Sequence, residues 1–350
     1  LESIFEAGAK MARTFSYGGG CGLDVSKLRP RGAVVNNAAK STSGATSFMD
    51  FYSYITGLIG QEGRRGATML SMSCEHPDLI EFINLKSNLD TCTKANISVR
   101  VTDAFMKAVE TNADFTLHYI MEDGSKITKT INARDTFMLL AQRNWEMAEP
   151  GILYWDRIAN YNLLQNTGFE YAGVNPCAEE PLPAGGSCLL GSINLSEFVV
   201  NPFTDQAMID FATLIKTVSI AVKALNDVLM EGLALHPLQE QRDSVNDWRQ
   251  IGLGTLGLGD MLIKLGVKYG SPESLRIIEE VYRNIAITAV LSSIKLAKDK
   301  GAFPKCTEGV KRAVYHSDFI QNLQMPDEVR RDIEQYGLAL SQLHTCAPTG

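Results

Sequence analysis

Residues 174–196 read Val-Asn-Pro-Cys-Ala-Glu-Glu-Pro-Leu-Pro-Ala-Gly-Gly-Ser-Cys-Leu-Leu-Gly-Ser-Ile-Asn-Leu-Ser and bring reactive side chains together in a short stretch. Asn175, Cys177 and Glu179 stand two positions apart, and a second thiol follows at Cys188. In an extended segment alternate side chains point to the same side. We therefore expect the amide, the thiol and the carboxylate to face one substrate.

The chemistry of these groups favours redox chemistry on a polyol over acyl transfer. A thiol gives up a proton to become a nucleophile or a hydrogen atom to become a thiyl radical, and Cys188 can pair with another sulfur to deliver two electrons. A carboxylate accepts a proton from a substrate hydroxyl, and an amide holds a second hydroxyl in place. The alternative is a Pro-rich surface turn with two buried structural thiols, since free cysteine is commonly buried.

The composition of the whole chain fits an intracellular enzyme core. With 350 residues, of which 45% are hydrophobic and 21% charged, the chain can bury a large core as one large α/β domain or two ordinary ones. A net charge of −7 without a basic stripe disfavours nucleic-acid binding. No apolar run approaches the roughly 18 residues that a membrane span needs. Seven cysteines without a Cys-x-x-Cys pair argue against a secreted disulfide framework and a structural zinc site, so a cytoplasmic location is expected.

Periodic patterns predict strands alternating with longer amphipathic helices, as parallel sheets require. Helices are predicted over residues 207–231 and 272–300, the second with Ser271 as its cap and Gly301 as its end. Strands are predicted at Asn96–Val101, Phe115–Ile120 and Gly191–Leu195. No repeat or linker divides the chain, so one compact α/β domain is the simplest interpretation.

One pattern points to another class of protein. The glycines of residues 252–257 fit a dinucleotide-binding loop, which would indicate a nicotinamide- or flavin-dependent oxidoreductase. Residues 244–250 are too polar for the buried strand that such a loop must follow, and tight packing of glycine at a helix start is the favoured interpretation. The five histidines show no metal-ligand spacing, so no metal site is predicted, and His76, next to Pro77 and Asp78, is expected to start a helix.

The stretch Asn-Pro-Cys-Ala-Glu-Glu-Pro-Leu, followed by Ser-Cys-Leu-Leu-Gly-Ser-Ile-Asn-Leu, resembles the finger loop of the catalytic subunit of ribonucleotide reductase. Further stretches resemble the same family in the same order, so the resemblance extends over essentially the whole chain. They are Gly-Gly-Gly-Cys-Gly-Leu-Asp-Val-Ser-Lys-Leu-Arg-Pro (18–30), Gly-Gln-Glu-Gly-Arg-Arg-Gly-Ala (60–67), His-Pro-Asp-Leu-Ile-Glu-Phe-Ile (76–83), Asn-Ile-Ser-Val (96–99), Ile-Gly-Leu-Gly-Thr-Leu-Gly-Leu-Gly-Asp-Met-Leu (251–262) and Ala-Pro-Thr-Gly (347–350).

The resemblance implies roles for the residues of the finger loop. Cys177 would be the thiyl radical that abstracts a hydrogen atom from the ribose, Glu179 the base and Asn175 the holder of substrate hydroxyls. Cys188 would be one of two thiols that form a disulfide as the 2′-hydroxyl leaves as water. The implied fold is a ten-stranded α/β barrel of two parallel half-sheets around the finger loop, present in part as one domain over residues 1–350.

The resemblance also implies features beyond the two ends of the chain. The second redox thiol would lie upstream of Leu1. Cys21 is a poor substitute for it, because Cys21 lies in a Gly-rich turn that is expected to line the substrate. In that turn Gly19 and Gly20 would let the backbone approach the substrate closely. Pro348, Thr349 and Gly350 resemble the start of a phosphate-binding turn at a helix N-terminus. We expect an internal piece of a longer polypeptide that is inactive by itself, and a catalytically inert nucleotide-binding module is the alternative.

Two further segments resemble nucleotide-effector loops. Gln61, Arg64 and Arg65 lie in a glycine-rich loop that would read the effector and the substrate base, and Arg29 would contact effector phosphate. The alternative is a solvated basic turn. An effector site of this kind, for a deoxynucleoside triphosphate or ATP, implies a homodimer by analogy.

The amino-acid sequence of the finger loop and the short separation of its two cysteines look most like those of the adenosylcobalamin-dependent type of reductase. Adenosylcobalamin is therefore the expected cofactor, and a radical from a dimetal partner subunit is the alternative. A ribonucleotide di- or triphosphate is the expected substrate and a thioredoxin-type dithiol the expected reductant, in a pathway that supplies DNA precursors.

Overall fold

The computed structural model describes residues 1–61 and 63–349, and of Gln61 it describes the backbone. These residues form two compact units. Unit 1 comprises Leu1–Asn160 and Tyr171–Pro181, and unit 2 comprises Tyr161–Glu170 and the chain from Leu182 onward. The expectation of one partial barrel domain over residues 1–350 stays a prediction.

Unit 1 alternates helices and strands along most of its length. Its helices are α1 (Glu2–Ser16), α2 (Met49–Leu58), α3 (Leu79–Asn84), α4 (Asp103–Thr111), α5 (Ala133–Met147) and α6 (Trp155–Asn160), with 3₁₀ helices at Thr46–Phe48 and Leu85–Ser87. Its strands are β1 (Cys21–Asp24), β2 (Gly60–Gln61), β3 (Arg64–Arg65), β4 (Thr68–Ser73), β5 (Asn96–Val101), β6 (Asp114–Ile120), β7 (Lys126–Asn132), β8 (Gly151–Tyr154) and β9 (Gly173–Val174), and β10 (Pro181–Leu182) begins at its last residue.

A parallel sheet with the strand order β1-β4-β5-β8 forms the centre of unit 1. Cys21 pairs with Thr68, and Ser98 of β5 pairs with Ser71 on one side and Gly151 on the other. The first five residues of β4 are buried, as expected for a strand covered on both faces. Helices α1 and α2 pack beside the sheet and contribute Phe15 and Met49, both fully buried, to its core. The predicted strand at Asn96–Val101 is confirmed with the same bounds.

Strands β6 and β7 form an antiparallel hairpin separate from this sheet. The strand predicted at Phe115–Ile120 is therefore confirmed in position, but it lies outside the parallel sheets. The physical reason is the turn that follows it, where Gly124 takes a φ of 81° and lets the chain reverse within a few residues. Leu117 is the buried residue of β6, so one face of the hairpin packs on unit 1 and the other meets solvent.

Unit 2 contains the longer helices. They are α7 (Phe211–Gly232), α8 (Gln239–Trp248), α9 (Leu258–Lys264), α10 (Pro272–Lys300), α11 (Glu308–His316), α12 (Asp318–Asn322) and α13 (Asp327–Tyr336), with 3₁₀ helices at Leu195–Phe198 and Leu233–Leu235. Its strands after β10 are β11 (Cys188–Asn194), β12 (Val199–Val200), β13 (Met208–Ile209), β14 (Gln250–Leu256) and β15 (Gln342–His344).

A second parallel sheet, with the order β11-β14-β15, forms the centre of unit 2. Cys188 pairs with Gln250, which in turn pairs with Gln342. The strand predicted at Gly191–Leu195 is confirmed as part of β11, which starts earlier, at Cys188. Helices α7 and α10 pack against each other and supply apolar side chains such as Val218 and Ala289 to the core.

Both helices predicted for unit 2 are confirmed, and their ends show how well local capping can be recognised. The side chain of Ser271 accepts a hydrogen bond from the Ser274 N–H, and α10 ends at Gly301 with a φ of 89°. Helix α7 starts later than predicted because Met208–Ile209 pairs with β12 and Asp210 then caps the helix through the Thr213 N–H.

The glycines at residues 252–257 do not form a dinucleotide-binding loop. Gly252 and Gly254 lie inside the mostly buried strand β14, whose polar predecessor is helix α8. Gly257 precedes helix α9 with a φ of 73°, and a Cβ there would lie 2.2 Å from Asn194 Oδ1. Tight packing before a helix start, the favoured interpretation of this motif, is therefore correct at Gly257.

The fold class is α/β with parallel sheets. The described residues place four strands in one parallel sheet and three in the other, and they show no closed barrel. Ten strands in one barrel thus stay a prediction. Within the described ranges, no helix combines the length and the apolar character needed to cross a membrane.

Candidate active site

The candidate reaction centre is a tight turn between β9 and β10, which we call the finger turn (residues 175–180). The Asn175 N–H donates to the Glu180 carbonyl, and the Glu180 N–H donates to Asn175 Oδ1, each at 3.0 Å. The Ala178 N–H donates to the Asn175 carbonyl at 3.1 Å. Three hydrogen bonds therefore close the turn, and Cys177 lies exposed at its tip.

The conformation of the finger turn corrects one sequence prediction. Asn175, Cys177 and Glu179 were expected to face one side because the segment would be extended, but the chain turns between them. Ala178 adopts a φ of 71°, and the Asn175 side chain replaces a backbone partner in the turn. The alternation of side chains along a strand therefore does not align these three residues, although all three lie within five consecutive positions.

Residues at or near strands β1 and β5 of unit 1 contact the finger turn and the strand β9 that leads into it. Asn96, the first residue of β5, donates from Nδ2 to the Pro176 carbonyl at 3.1 Å. A Cβ at Gly22 in β1 would lie 1.7 Å from the Val174 carbonyl oxygen, and one at Gly20 would lie 2.6 Å from Pro176 Cγ. Glycine at position 22 therefore lets β1 and β9 pack in direct backbone contact, and glycine at position 20 leaves room for the Pro176 ring of the finger turn.

Gly19 and Gly20 were predicted to line the substrate. The structure places Gly20 against Pro176 of the finger turn, and a Cβ at Gly19 would lie 2.8 Å from Thr14 Cγ2. Cys21 was predicted inside the Gly-rich turn, but it is the first residue of β1. Burial raises the pKa of the half-buried Cys21 thiol to about 11, so this cysteine is held as a neutral thiol.

The electrostatics of the tip keep Cys177 protonated. Desolvation, followed by the negative charge of Glu179, raises the pKa of the Cys177 thiol above its ordinary value. Glu179 is half-buried beside it. A neutral S–H is a poor nucleophile but an effective hydrogen-atom donor, so the arrangement suits radical chemistry better than thiolate chemistry.

Sequence reasoning missed a buried pair behind the finger turn. Glu180 is fully buried, and burial together with the charge of Glu180 raises the pKa of Tyr171 far above its ordinary value. Asn96 was also missed as a support of the turn, because it was assigned only to a strand. The only sequence sign was a second carboxylate next to Glu179, and adjacency alone does not show which of the two side chains is fully buried.

In unit 2, Cys188 is the first residue of β11 and is half-buried, with its thiol directed to the Leu189 carbonyl at 3.8 Å. Near the other end of β11, Ser192 Oγ lies 3.3 Å from Thr349 Oγ1. Ligands of open parallel sheets bind at the carboxyl ends of the strands. Ser192, which sequence reasoning missed, therefore lies beside the predicted phosphate turn. Pro348 is exposed, and Gly350 lies outside the described residues.

The predicted effector residues lie on two segments of unit 1. Strands β2 and β3 form a short antiparallel pair in which Gln61 pairs with Arg64, and both Arg64 and Arg65 are exposed. The side chain of Gln61 is outside the description. Arg29 follows β1, and its guanidinium lies 3.2 Å from Glu122 of the β6–β7 hairpin. Across residues 1–61 and 63–349, no cluster of three His, Cys, Asp or Glu side chains could hold a metal ion.

Comparison with known proteins gives a consistent result. The family model described as "Ribonucleotide reductase, barrel domain" matches residues 1–350. A vitamin B12-dependent ribonucleoside-diphosphate reductase of Thermoplasma acidophilum is 38% identical over 306 residues, which cover 87% of this chain and 39% of that protein. One of the same name from Mycobacterium tuberculosis is 33% identical, covering 88% of this chain and 43% of that protein. A vitamin B12-dependent ribonucleotide reductase of Streptomyces clavuligerus is 28% identical, and the match covers 87% of this chain and 34% of that protein. The chain thus spans about two fifths of the first two relatives.

Proposed function

Since this chain belongs to the ribonucleotide reductase barrel-domain family, we propose that it forms the catalytic centre of an enzyme that reduces ribonucleotides to 2′-deoxyribonucleotides. The observation that carries the proposal is the exposed, protonated Cys177 at the tip of a closed turn, with Glu179 beside it. A hydrogen-atom donor next to a carboxylate is what radical chemistry on a ribose requires.

In this proposal the residues of the finger turn act on the ribose. Cys177, as a thiyl radical, takes a hydrogen atom from a ribose carbon and later returns it. Glu179 accepts the proton of the neighbouring hydroxyl. Because Asn175 Oδ1 is engaged by the Glu180 N–H, its NH₂ group is the part that donates to a substrate hydroxyl. Fixed orientation of this kind can supply roughly 7 to 11 kcal/mol of barrier reduction.

The reduction itself requires two electrons and a leaving oxygen. Cys188 and a second thiol supply two electrons and two hydrogens, their sulfurs join in a disulfide, and the 2′-hydroxyl leaves as water while hydrogen takes its place. A thioredoxin-type dithiol then reduces the disulfide. Half-burial of Cys188 suits a thiol that must meet both substrate and reductant.

The proposed cofactor is adenosylcobalamin, which supplies the radical when it is bound. The printed names of the relatives as vitamin B12-dependent support this choice. Cys177 fits as the residue to be oxidised, since it is exposed and carries its hydrogen. A dimetal partner subunit remains the alternative radical source.

The substrate is a ribonucleoside di- or triphosphate. We propose that its phosphates bind at the turn of Pro348, Thr349 and Gly350, and the contact of Thr349 with Ser192 adds a second hydroxyl to that site. Gly19 and Gly20 would approach the substrate from the start of β1. Thr349 follows β15, at the carboxyl edge where parallel sheets bind ligands.

An effector site and a homodimer complete the proposal. Arg29, Gln61, Arg64 and Arg65 would bind a deoxynucleoside triphosphate or ATP, and the exposed arginines support that role. Helices α1 and α2 expose an apolar surface that suits a contact between two copies. Its residues are Leu1, Phe5, Tyr54 and Leu58, each more than half exposed (62%, 57%, 68% and 61%).

We further propose that the two parallel sheets are parts of the ten-stranded barrel that surrounds the finger turn. Both of these sheets, β1-β4-β5-β8 and β11-β14-β15, are parallel throughout, as such half-sheets would be. The seven cysteines, all within the described residues, are free thiols, which supports a reducing, cytoplasmic location.

The test is reduction of CDP and of CTP by the whole protein, with adenosylcobalamin and dithiothreitol, without oxygen and without a second subunit. Deoxycytidine product should form with the wild type, disappear in Cys177→Ala with nucleotide binding retained, and persist in Cys346→Ser, which alters another exposed thiol. Activity that appears only with a metal-containing partner subunit would overturn the cofactor. Nucleotide binding without product under either condition would support the inert binding module.

A further inference from the structure

The segment Lys27–Arg29, which we call the effector loop, is held through its backbone by two side chains from elsewhere in unit 1. Tyr119 of β6 donates from its hydroxyl to the Lys27 carbonyl at 2.8 Å. His76 Nε2 lies 2.9 Å from the Leu28 carbonyl. Successive carbonyls just before Arg29 are therefore fixed, and with them the direction from which the guanidinium extends.

The tautomer of His76 follows from its partners. The Asp78 N–H donates to His76 Nδ1 at 3.1 Å, so this nitrogen carries no proton. Nε2 must then carry the proton and donate it to Leu28. Burial lowers the pKa of His76, which keeps the ring neutral in this role. The rings of His76 and Tyr119 meet edge to face at 5.8 Å, so the two supports also position each other.

The β6–β7 hairpin brings a carboxylate to the same loop. The hairpin is attached beside His76, because the His118 N–H donates to the Glu75 carbonyl at 2.7 Å. Glu122, next to its tip, accepts from Arg29 at 3.2 Å. The Glu122 side chain is 89% exposed, so it can leave the guanidinium for solvent without an energetic penalty from burial.

We propose that the β6–β7 hairpin sets the affinity of the effector loop for a nucleoside triphosphate. Tyr119 and His76 are positioning residues that hold the backbone before Arg29, and Glu122 occupies the guanidinium until an effector phosphate displaces it. Carboxylate and phosphate oxygens compete for the same planar donors. The inference rests on the proposed role of Arg29 as a phosphate contact and adds the groups that control it.

The two parts of the hairpin should act in opposite directions. Removing the competing charge with Glu122→Gln should tighten effector binding by about two- to five-fold, the range of an exposed ion pair. Removing the Tyr119 hydroxyl with Tyr119→Phe should weaken it by about three- to ten-fold, since one hydrogen bond is lost and the ring is kept. Neither change should alter the rate of reduction measured without effector.

The measurement is equilibrium dialysis of dATP, dGTP and dTTP against the whole protein. Asp123→Asn is the matched control for Glu122→Gln, because it removes a charge one residue away while Asn can still accept from the N–H and hydroxyl of Ser125. Each variant is repeated in an Arg29→Ala background, where the effect of Glu122→Gln should vanish. A purely structural role of Glu122 would not depend on Arg29.

The outcomes separate the inference from the function on which it rests. If Arg29→Ala leaves the affinity for all three nucleotides unchanged, Arg29 does not contact effector phosphate, and both proposals about it fail. If Arg29→Ala weakens binding but Glu122→Gln matches Asp123→Asn, the competition is wrong and the role of Arg29 stands. Unchanged affinity in Tyr119→Phe would likewise refute the positioning role of Tyr119.

Discussion

The side-chain oxygen of Asn175 accepts a hydrogen bond from the backbone N–H of Glu180 at 3.0 Å, and this contact closes the turn that presents Cys177. One residue thus has two tasks, since its amide oxygen shapes the turn and its NH₂ group is the proposed donor to substrate. The three hydrogen bonds that close the turn join groups of its own segment, and Asn96 of β5 also holds it at Pro176. Its geometry therefore does not depend on substrate being present.

The two tasks of Asn175 can be separated by substitution. Asn175→Asp keeps an acceptor for the Glu180 N–H but lacks the NH₂ donor, whereas Asn175→Ala lacks both. We expect Asn175→Ala to lower the free energy of unfolding by about 1 kcal/mol and Asn175→Asp to lower it by less. Both should reduce kcat/KM by about 2- to 12-fold, the value of one substrate hydrogen bond. Urea denaturation and steady-state kinetics measure the two effects, and full activity in Asn175→Asp would contradict the donor role.

Gly22 should tolerate no side chain. Gly22→Ala places a Cβ 1.7 Å from the Val174 carbonyl oxygen, so β1 and β9, the strand that leads into the finger turn, must separate. We expect a loss of about 1 to 3 kcal/mol in the free energy of unfolding, as for other overpacked sites. Gly173→Ala is the matched control on the opposing segment, because a Cβ there meets open space among the described residues. Equal stability of the two variants, measured by urea denaturation, would show that the contact is looser than described.

The thiol of Cys177 should react slowly with alkylating reagents in spite of its exposure. Its pKa is raised by desolvation and by Glu179, so little thiolate is present at neutral pH. Glu179→Gln removes the negative charge, lowers the pKa of the thiol and should raise its rate of alkylation by iodoacetamide at pH 8. Mass spectrometry can follow Cys177 and Cys346 in the same sample, where the exposed Cys346 serves as the internal reference. An unchanged ratio of the two rates would argue against the influence of Glu179.

His344 should make unit 2 less stable in acid. Burial lowers its pKa to about 4, below the ordinary value of 6.5. Between these values the unfolded chain binds a proton that the folded chain does not, so stability falls as the pH decreases from 6.5 towards 4. We expect a loss of about 2 kcal/mol between pH 7.5 and pH 5.

His344→Gln is the comparison for this prediction, because it keeps a polar side chain that does not titrate in this range. The free energy of unfolding, measured by urea denaturation at several pH values, should fall less steeply in the variant than in the wild type. Parallel curves for the two proteins would show that His344 does not cause the acid sensitivity.

The elements that depend on local sequence were the most predictable. Ser271, Pro272 and Gly301 mark both ends of α10 through capping and backbone conformation, which nearby residues determine. The start of α7 was not predictable in the same way, because Met208–Ile209 is held by pairing with Val199–Val200 rather than by its own propensity.

The roles of Asn175, Cys177 and Glu179 stay predictions, but the shape of their segment can be compared with the sequence. Their two-residue spacing indicated a strand, whereas the chain forms a turn. The closure through Glu180 depends on an Asn side chain replacing a backbone partner, which periodicity does not report. The contacts that Asn96 and Gly22 make with this segment come from strands distant in sequence, so they could be recognised only from the folded structure.

The raised pKa of Cys177 has a consequence for the lifetime of the protein. Peroxide and other cellular oxidants attack the thiolate form of cysteine, and oxidation beyond the reversible sulfenic acid gives sulfinic and sulfonic acids that are not readily reduced. A thiol that remains protonated at the tip of its turn is protected from this damage while no substrate is bound. The carboxylate beside Cys177 thus adds to the desolvation that keeps this thiol in the form that oxidants attack less readily.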